Sequence, residues 1–109
     1  MKWKINYSEK SLADLDQIYE YICNELLMPE TAVKQAEKIM EKIDSLETMP
    51  ERYKIYEEEP WKLKKLRYFS VGNYLIFYLV NERENIINIV RIIYGKRDIE
   101  KQLNDTSEL

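Results

Sequence analysis

Histidine is missing from this 109-residue chain, cysteine occurs once, glycine twice and proline three times. Without histidine, zinc sites of the usual ligand types and Cys–His nucleophile pairs are excluded, and neither a metal nor a cofactor is expected. Proton chemistry would fall to a carboxylate, a lysine or a tyrosine, whose ordinary pKa values lie far from neutrality. The lone Cys23 allows no internal disulfide, and its place on a helix predicts a buried thiol. No apolar run approaches the ~20 residues that cross a bilayer. The opening Met1-Lys2-Trp3-Lys4 has no apolar stretch of the signal-peptide kind, so the expectation is a cytosolic chain without a membrane partner. Gly-rich phosphate loops and Ser-His-Asp sets are absent as well.

What is present is a folded composition, with 45% hydrophobic and 34% charged residues. The length supports one domain, expected over residues 1–104 with a flexible tail at 105–109. The net charge of −3 conceals a segregation. Residues 1–60 carry 8 basic and 14 acidic groups, whereas residues 61–97 carry 8 basic and only 2 acidic. In that basic stretch Lys62, Lys64, Lys65, Arg67, Arg83, Arg91, Lys96 and Arg97 interleave with Tyr68, Phe69, Tyr74, Phe77, Tyr78 and Tyr94. Such a mixture suits a polyanion or an acidic protein partner, or answers the acidic helices of the same chain.

Periodicity divides the chain into elements. Trp3 to Tyr7 alternates as a short half-buried strand does. Ser8 then caps a helix whose stripe is Leu12, Leu15, Ile18, Tyr19, Ile22 and Leu26, broken at Met28-Pro29. A second stripe, Ala32, Val33, Ala36, Ile39, Met40, Ile43 and Leu46, ends before Met49-Pro50, which makes an antiparallel helical hairpin. Residues 50–60 show no period and read as a loop. Leu63–Val71 and Tyr74–Val80 flank Gly72-Asn73, a two-residue turn that demands positive φ. Asn85–Tyr94 returns as a third strand, and Asp98–Leu103 forms a short closing helix.

The fold class is therefore α+β: an N-terminal strand, a helical hairpin, a three-stranded antiparallel meander and a short C-terminal helix. The turn sets Val71 opposite Tyr74 and Arg67 opposite Tyr78, and a loop at Asn81–Glu84 sets Tyr74 opposite Arg91. One face then carries Arg67, Phe69, Val71, Tyr74, Ile76, Tyr78, Ile87, Ile89 and Arg91. The other carries Leu66, Tyr68, Ser70, Leu75, Phe77, Leu79, Ile86, Asn88, Val90 and Ile92. Both are largely apolar, as when helices cover one side and the second lines a groove or a partner surface. Parity does not say which face meets the helices.

Arg67 and Arg91 lie inside β-rich runs, where a charge is costly to bury unless it is paired or exposed to a ligand. A salt bridge, stacking on Tyr74 and Tyr78, or anion recognition would each account for them. Lys96 and Arg97 follow a strand end and project toward a partner or toward solvent. Tyr94 would orient a phosphate or cap the core. Lys64, Lys65, Arg67, Arg91, Lys96 and Arg97 are thus the candidate residues for binding a target or regulator. Asp14, Asp16 and Glu20, like Glu57, Glu58 and Glu59, read as solvated surface charges without chemistry.

The order of elements, with Leu66-Arg67-Tyr68-Phe69-Ser70-Val71-Gly72-Asn73-Tyr74-Leu75-Ile76-Phe77-Tyr78, Val90-Arg91-Ile92-Ile93-Tyr94-Gly95-Lys96-Arg97-Asp98 and the opening Tyr7-Ser8 and Leu12, resembles the RelE/ParE superfamily of toxins. These come from bacterial type II toxin–antitoxin modules and include plasmid stabilisation proteins. The resemblance implies a small cytoplasmic growth inhibitor, silenced by an antitoxin that wraps it. It implies one of two targets: the ribosome and its mRNA, cut by RelE-like nucleases, or DNA gyrase, poisoned by ParE-like proteins without phosphodiester chemistry.

RelE-like nucleases place cations where this chain has Leu66, Tyr68 and Leu75, a Tyr or His where it has Leu103, and an arginine after the last strand, matched by Arg97; Lys64, Lys65 or Arg67 would be the shifted cations that substitute. Were the chain RelE-like, Arg97, Lys96 and Tyr94 would be its catalytic set and it would be an mRNA endoribonuclease. The run Val71–Tyr78 is more similar to the ParE side. A degenerate, non-toxic binding module of the same fold is the remaining reading, and a homodimer is compatible with all three.

Overall fold

A computed structural model describes residues 3–106. The elements are β1 (Lys4–Tyr7), α1 (Glu9–Glu20), α2 (Pro29–Asp44), β2 (Arg67–Val71), β3 (Tyr74–Asn81), β4 (Ile86–Tyr94) and α3 (Ile99–Asn104). Ser8 starts α1 as its periodicity predicts, with Ser8 Oγ accepting from Ser11 N at 3.0 Å. That satisfies one of the backbone donors a helix start leaves unpaired. α1 widens into a π-helical turn, Tyr21–Glu25, before Leu27 takes φ 53° and Pro29 opens α2. Proline fits a first helical turn because its missing N–H would be unpaired there anyway. Asp98 caps α3 by accepting from Lys101 N at 3.2 Å.

The sheet order is β1-β4-β3-β2, with β1 parallel to β4 and the meander antiparallel. Val71 faces Tyr74 and Arg67 faces Tyr78 across a turn in which Gly72 holds φ +59°, the expected register. The second pairing departs from expectation. Tyr74 lies opposite Tyr94, not Arg91, and a bulge between Phe77 and Tyr78 puts Phe77 opposite Arg91 and Tyr78 opposite Ile89. The extra residue, Val90, resets the alternation of β4. Ile92 therefore joins the helix-side core that parity assigns to Arg91.

That core consists of Ile39, Ile43 and Leu46 packed on Phe69, Val71, Ile76, Tyr78, Ile87, Ile89 and Ile92. Each fully buried aliphatic side chain there is worth about 1.5–3 kcal/mol. Only part of each predicted helical stripe is buried: Leu12, Val33 and Met40 stay more than 40% exposed. Cys23 is half-buried, in the π-helical turn.

The second sheet face is not open to a partner along its length. Trp61, Leu66 and Leu103 close over Phe77, Val90 and Ile93, with Tyr56 edge-on to Trp61, Tyr68 and Phe77. The aperiodic stretch before β2 thus acts as a cover. Ile55 bridges to Arg67, Tyr56 N donates to Leu66 O and Tyr68 N to Lys54 O, so this stretch also shields the β2 edge. A bare strand edge would otherwise invite pairing with another chain.

Order continues past the expected boundary at 104. Thr106 is buried and donates from its hydroxyl to Gln102 O at 2.8 Å. The rest of the predicted tail, 107–109, lies outside the described residues, as do Met1 and Lys2.

Candidate functional site: a basic cleft at the end of the sheet

β1 ends opposite Ile89, while β4 runs on to Tyr94, which leaves the upper edge of β4 without a strand partner. The start of α1 takes that place. Ser8 N donates to Ile89 O at 3.0 Å, Ser8 Oγ donates to Val90 O at 3.0 Å, and Ile92 N donates to Asp14 Oδ2 at 2.9 Å. Buried backbone groups need such partners, and side chains here supply what a neighbouring strand would.

The same Asp14 carboxylate accepts two bonds from Arg91, from Nε at 2.7 Å and from Nη2 at 2.9 Å. Arg91 also donates to Gln102 O, Gln102 Oε1 and Thr106 Oγ1 at 2.9–3.1 Å. Its guanidinium is consumed inside the chain, tying α1, β4 and α3 together, and is not presented to a partner. Asp14 is corrected from a solvated charge to a buried ion-pair partner. The signal was present: Ser11, Asp14 and Ile18 share the inward stripe of α1, so a carboxylate at 14 faces the sheet.

Above this pair lies a cleft of about 770 Å³ between the helical hairpin and the far end of the sheet. One wall is Ile22, Leu26 and Met28 beside Tyr21; the opposite wall is Tyr74 and Tyr94, with ring centroids 5.7 Å apart. Lys96 and Arg97 form the rim. Both are exposed, and among the described residues neither makes an ion pair. Burial, then the Tyr94 and Tyr21 phenols, raises the Tyr74 pKa above the ordinary tyrosine value, so Tyr74 stays protonated and can donate. Gln35 and Gly72 line the cleft too.

Of the residues singled out in the sequence, Tyr94, Lys96 and Arg97 are thus brought together. Arg67 is not with them. Its Nη1 donates to Tyr53 O at 2.6 Å and its Nη2 lies 3.5 Å from Glu51 Oε2, a partly buried site on the opposite side of the meander. Lys64 and Lys65 are exposed on the turn before β2. β2 runs parallel to β4 through β3, so a turn preceding β2 and a turn following β4 lie at opposite ends of the sheet. The single positive surface expected along the meander is therefore two separate clusters. Sequence reasoning missed Tyr21, Leu26, Met28 and Gln35 as cleft residues. For Gln35 a signal existed, a polar residue one turn from Ala32 and Ile39 on the buried stripe of α2.

Chemically the cleft offers two cations, phenols and an apolar wall. Its carboxylate is already neutralised by Arg91, and among the described residues no group of three or more His, Cys, Asp or Glu gathers as metal ligands do. Such a set is complementary in charge and in apolar surface to an anionic, partly apolar partner.

Comparison with known proteins agrees with this architecture. No curated protein is a significant match in sequence. Among solved structures, the chain is similar to the chromosomal ParDE toxin–antitoxin system of P. aeruginosa, with TM-score 0.71, 23% identity, and 87% of this chain and 98% of that one covered. It is also similar to a mutant of the E. coli toxin RelE in the free state, with TM-score 0.65, 12% identity and coverage of 99% and 97%. The archaeal RelE–RelB complex of Pyrococcus horikoshii gives 0.59, 19%, 89% and 99%. A family model, described as ParE toxin of type II toxin–antitoxin system, parDE, matches residues 5–99. That match runs from β1 to the first residue of α3 and takes in the whole meander, so the chain belongs to the ParE toxin family of type II toxin–antitoxin systems.

Proposed function

We propose that this toxin is held silent by an antitoxin segment seated in the basic cleft, and that once released it arrests growth by binding and poisoning DNA gyrase. The observation that carries the choice of target is the fate of three positions. Leu66, Tyr68 and Leu75, where a RelE-like nuclease carries cations, pack instead into the second core with Phe77 and Trp61. In-line attack by a 2′-hydroxyl needs proton transfer and neutralisation of the charge that develops on the phosphoryl oxygens, and the side chains at these three positions carry no cation to neutralise it. A docking mechanism needs only a complementary surface.

The antitoxin reading draws its support from the cations of the cleft rim and from the similarity to a ParDE toxin–antitoxin system and a RelE–RelB complex. An acidic, amphipathic segment complements both rim and wall.

Induced expression in a bacterial host, read out as growth, plasmid supercoiling and mRNA integrity, tests the target. Growth arrest with lost supercoiling and intact messages is expected. Messages cut at codons, with cutting abolished by Arg97→Ala, would instead establish the nuclease reading, and unimpaired growth would mark a non-toxic module. Co-expression with the adjacent reading frame should yield a salt-sensitive complex.

A further inference from the structure

One polar atom of the cleft has no counterpart. Gln35 Nε2 is shielded from solvent yet has no hydrogen-bond partner among the described residues, and a Cβ placed on Gly72 would lie 4.0 Å from it. A buried donor in that condition is costly, and native chains keep few of them. α2 bears this cost between Ala32 and Ile39, both fully buried, where methionine would occupy a similar volume without it. On one side of Gln35 stand apolar side chains that a core would normally cover: Tyr21 is 55% exposed, Leu26 and Met28 48% each. On the other are Lys96 and Arg97 of the rim, which form no ion pair among the described residues.

We infer that Gln35 is the residue with which the cleft selects its occupant. The occupant is an antitoxin segment with a carboxylate for Lys96 and Arg97, an aliphatic side chain for the Leu26–Met28 wall and a carbonyl oxygen for Gln35 Nε2. This rests on the reading of the cleft as the antitoxin's seat. The terminal torsion of glutamine is soft, so the amide turns from its shielded place toward an acceptor in the cleft. An occupant that supplies the acceptor relieves a donor left unpaired in the free toxin. One that lacks it leaves the donor unpaired and adds no compensation, and rejection on those grounds is stronger than any aliphatic mismatch provides.

The test is calorimetric titration of the purified product of the adjacent reading frame into the full-length toxin and its Gln35→Met, Gln35→Glu and Lys96→Glu variants, each also melted alone. Gln35→Met should bind at least tenfold more weakly while melting at the same temperature or higher, because a shielded unpaired donor has been removed. Gln35→Glu should bind more weakly still, since it sets a carboxylate against the partner's acceptor. If both Gln35 variants bind within twofold of the parent while Lys96→Glu weakens binding, the role of Gln35 is overturned and the cleft reading stands. A lower melting temperature for Gln35→Met that tracks its lost affinity would also overturn it, by making the residue structural. Unchanged affinity in Lys96→Glu would overturn the cleft reading and this inference with it.

Discussion

Asp14 and Arg91 stand 77 positions apart in the chain and meet in a two-pronged ion pair, with Nε–Oδ2 at 2.7 Å and Nη2–Oδ1 at 2.9 Å. Their side chains are only 10% and 7% exposed. Two groups taken out of water this far are held by geometry and by the further bonds each makes, to Ile92 N, Gln102 and Thr106. Asp14→Ala strands the guanidinium and should cost about 3–5 kcal/mol. That is a large share of a stability of order 5–15 kcal/mol. Urea unfolding should show a lower midpoint with an unchanged slope. The double variant Asp14→Leu, Arg91→Met should recover most of the loss, since it leaves no unpaired charge.

Alkaline pH should destabilise the protein through two phenols. Tyr7 and Tyr78 are both pushed up to about 12, mainly by burial, with Asp44 adding to the rise at Tyr7 and Arg67 opposing it at Tyr78. The folded state keeps these protons at a pH where the unfolded chain loses them, near 10. Their contribution is complete below about pH 10 and is lost as pH rises toward 12. Melting temperatures from pH 8 to 12 should be level and then fall. A spectrophotometric tyrosine titration should show late-ionising groups that merge with the rest on unfolding.

Gly72 is needed for its backbone. Its φ is +59°, and a Cβ there would meet nothing closer than 4.0 Å, so Gly72→Ala isolates conformational strain from crowding. The left-handed region costs other residues roughly 1–2 kcal/mol. Gly72→Asn should lose less, because asparagine enters that region more readily. Chemical denaturation of the two variants should rank them in that order.

The two basic clusters should behave independently. Lys96→Glu and Arg97→Glu, on exposed turn positions, should leave stability within about 0.5 kcal/mol. They should weaken the antitoxin complex and flatten its salt dependence. Lys64→Glu, at the other end of the sheet, should change that complex little. Pull-down across a salt series distinguishes them, and an equal response from Lys64→Glu would move the docking surface away from the cleft.

Much of the fold was legible because it is written in neighbours. Ser8 before the first stripe, Met28-Pro29 between the helices, Gly72-Asn73 between the strands and Asp98 before α3 each act over three or four residues, and all four mark real boundaries. The register of β3 on β4 was not legible. Both faces of β4 are apolar, so no alternation was available to reveal that Val90 is an inserted residue. Charge patterning singled out Lys96 and Arg97 as candidate binding residues, and the structure places both at the cleft; it read Asp14 as a surface charge and left Arg91 open between a salt bridge, stacking and a partner contact, because nothing in a linear sequence pairs the two.

By itself the sequence determined the order and kind of the elements, the absence of histidine chemistry and the separation of acidic from basic segments, since each depends on composition or on short-range spacing. Only the tertiary structure decided which cations are free. Arg91 and Arg67 find acceptors on α1 and on the stretch before β2, while Lys96 and Arg97, one turn beyond the last strand, find none among the described residues. Whether a charge is neutralised is set by distance across the fold, and the chain must close before that distance exists.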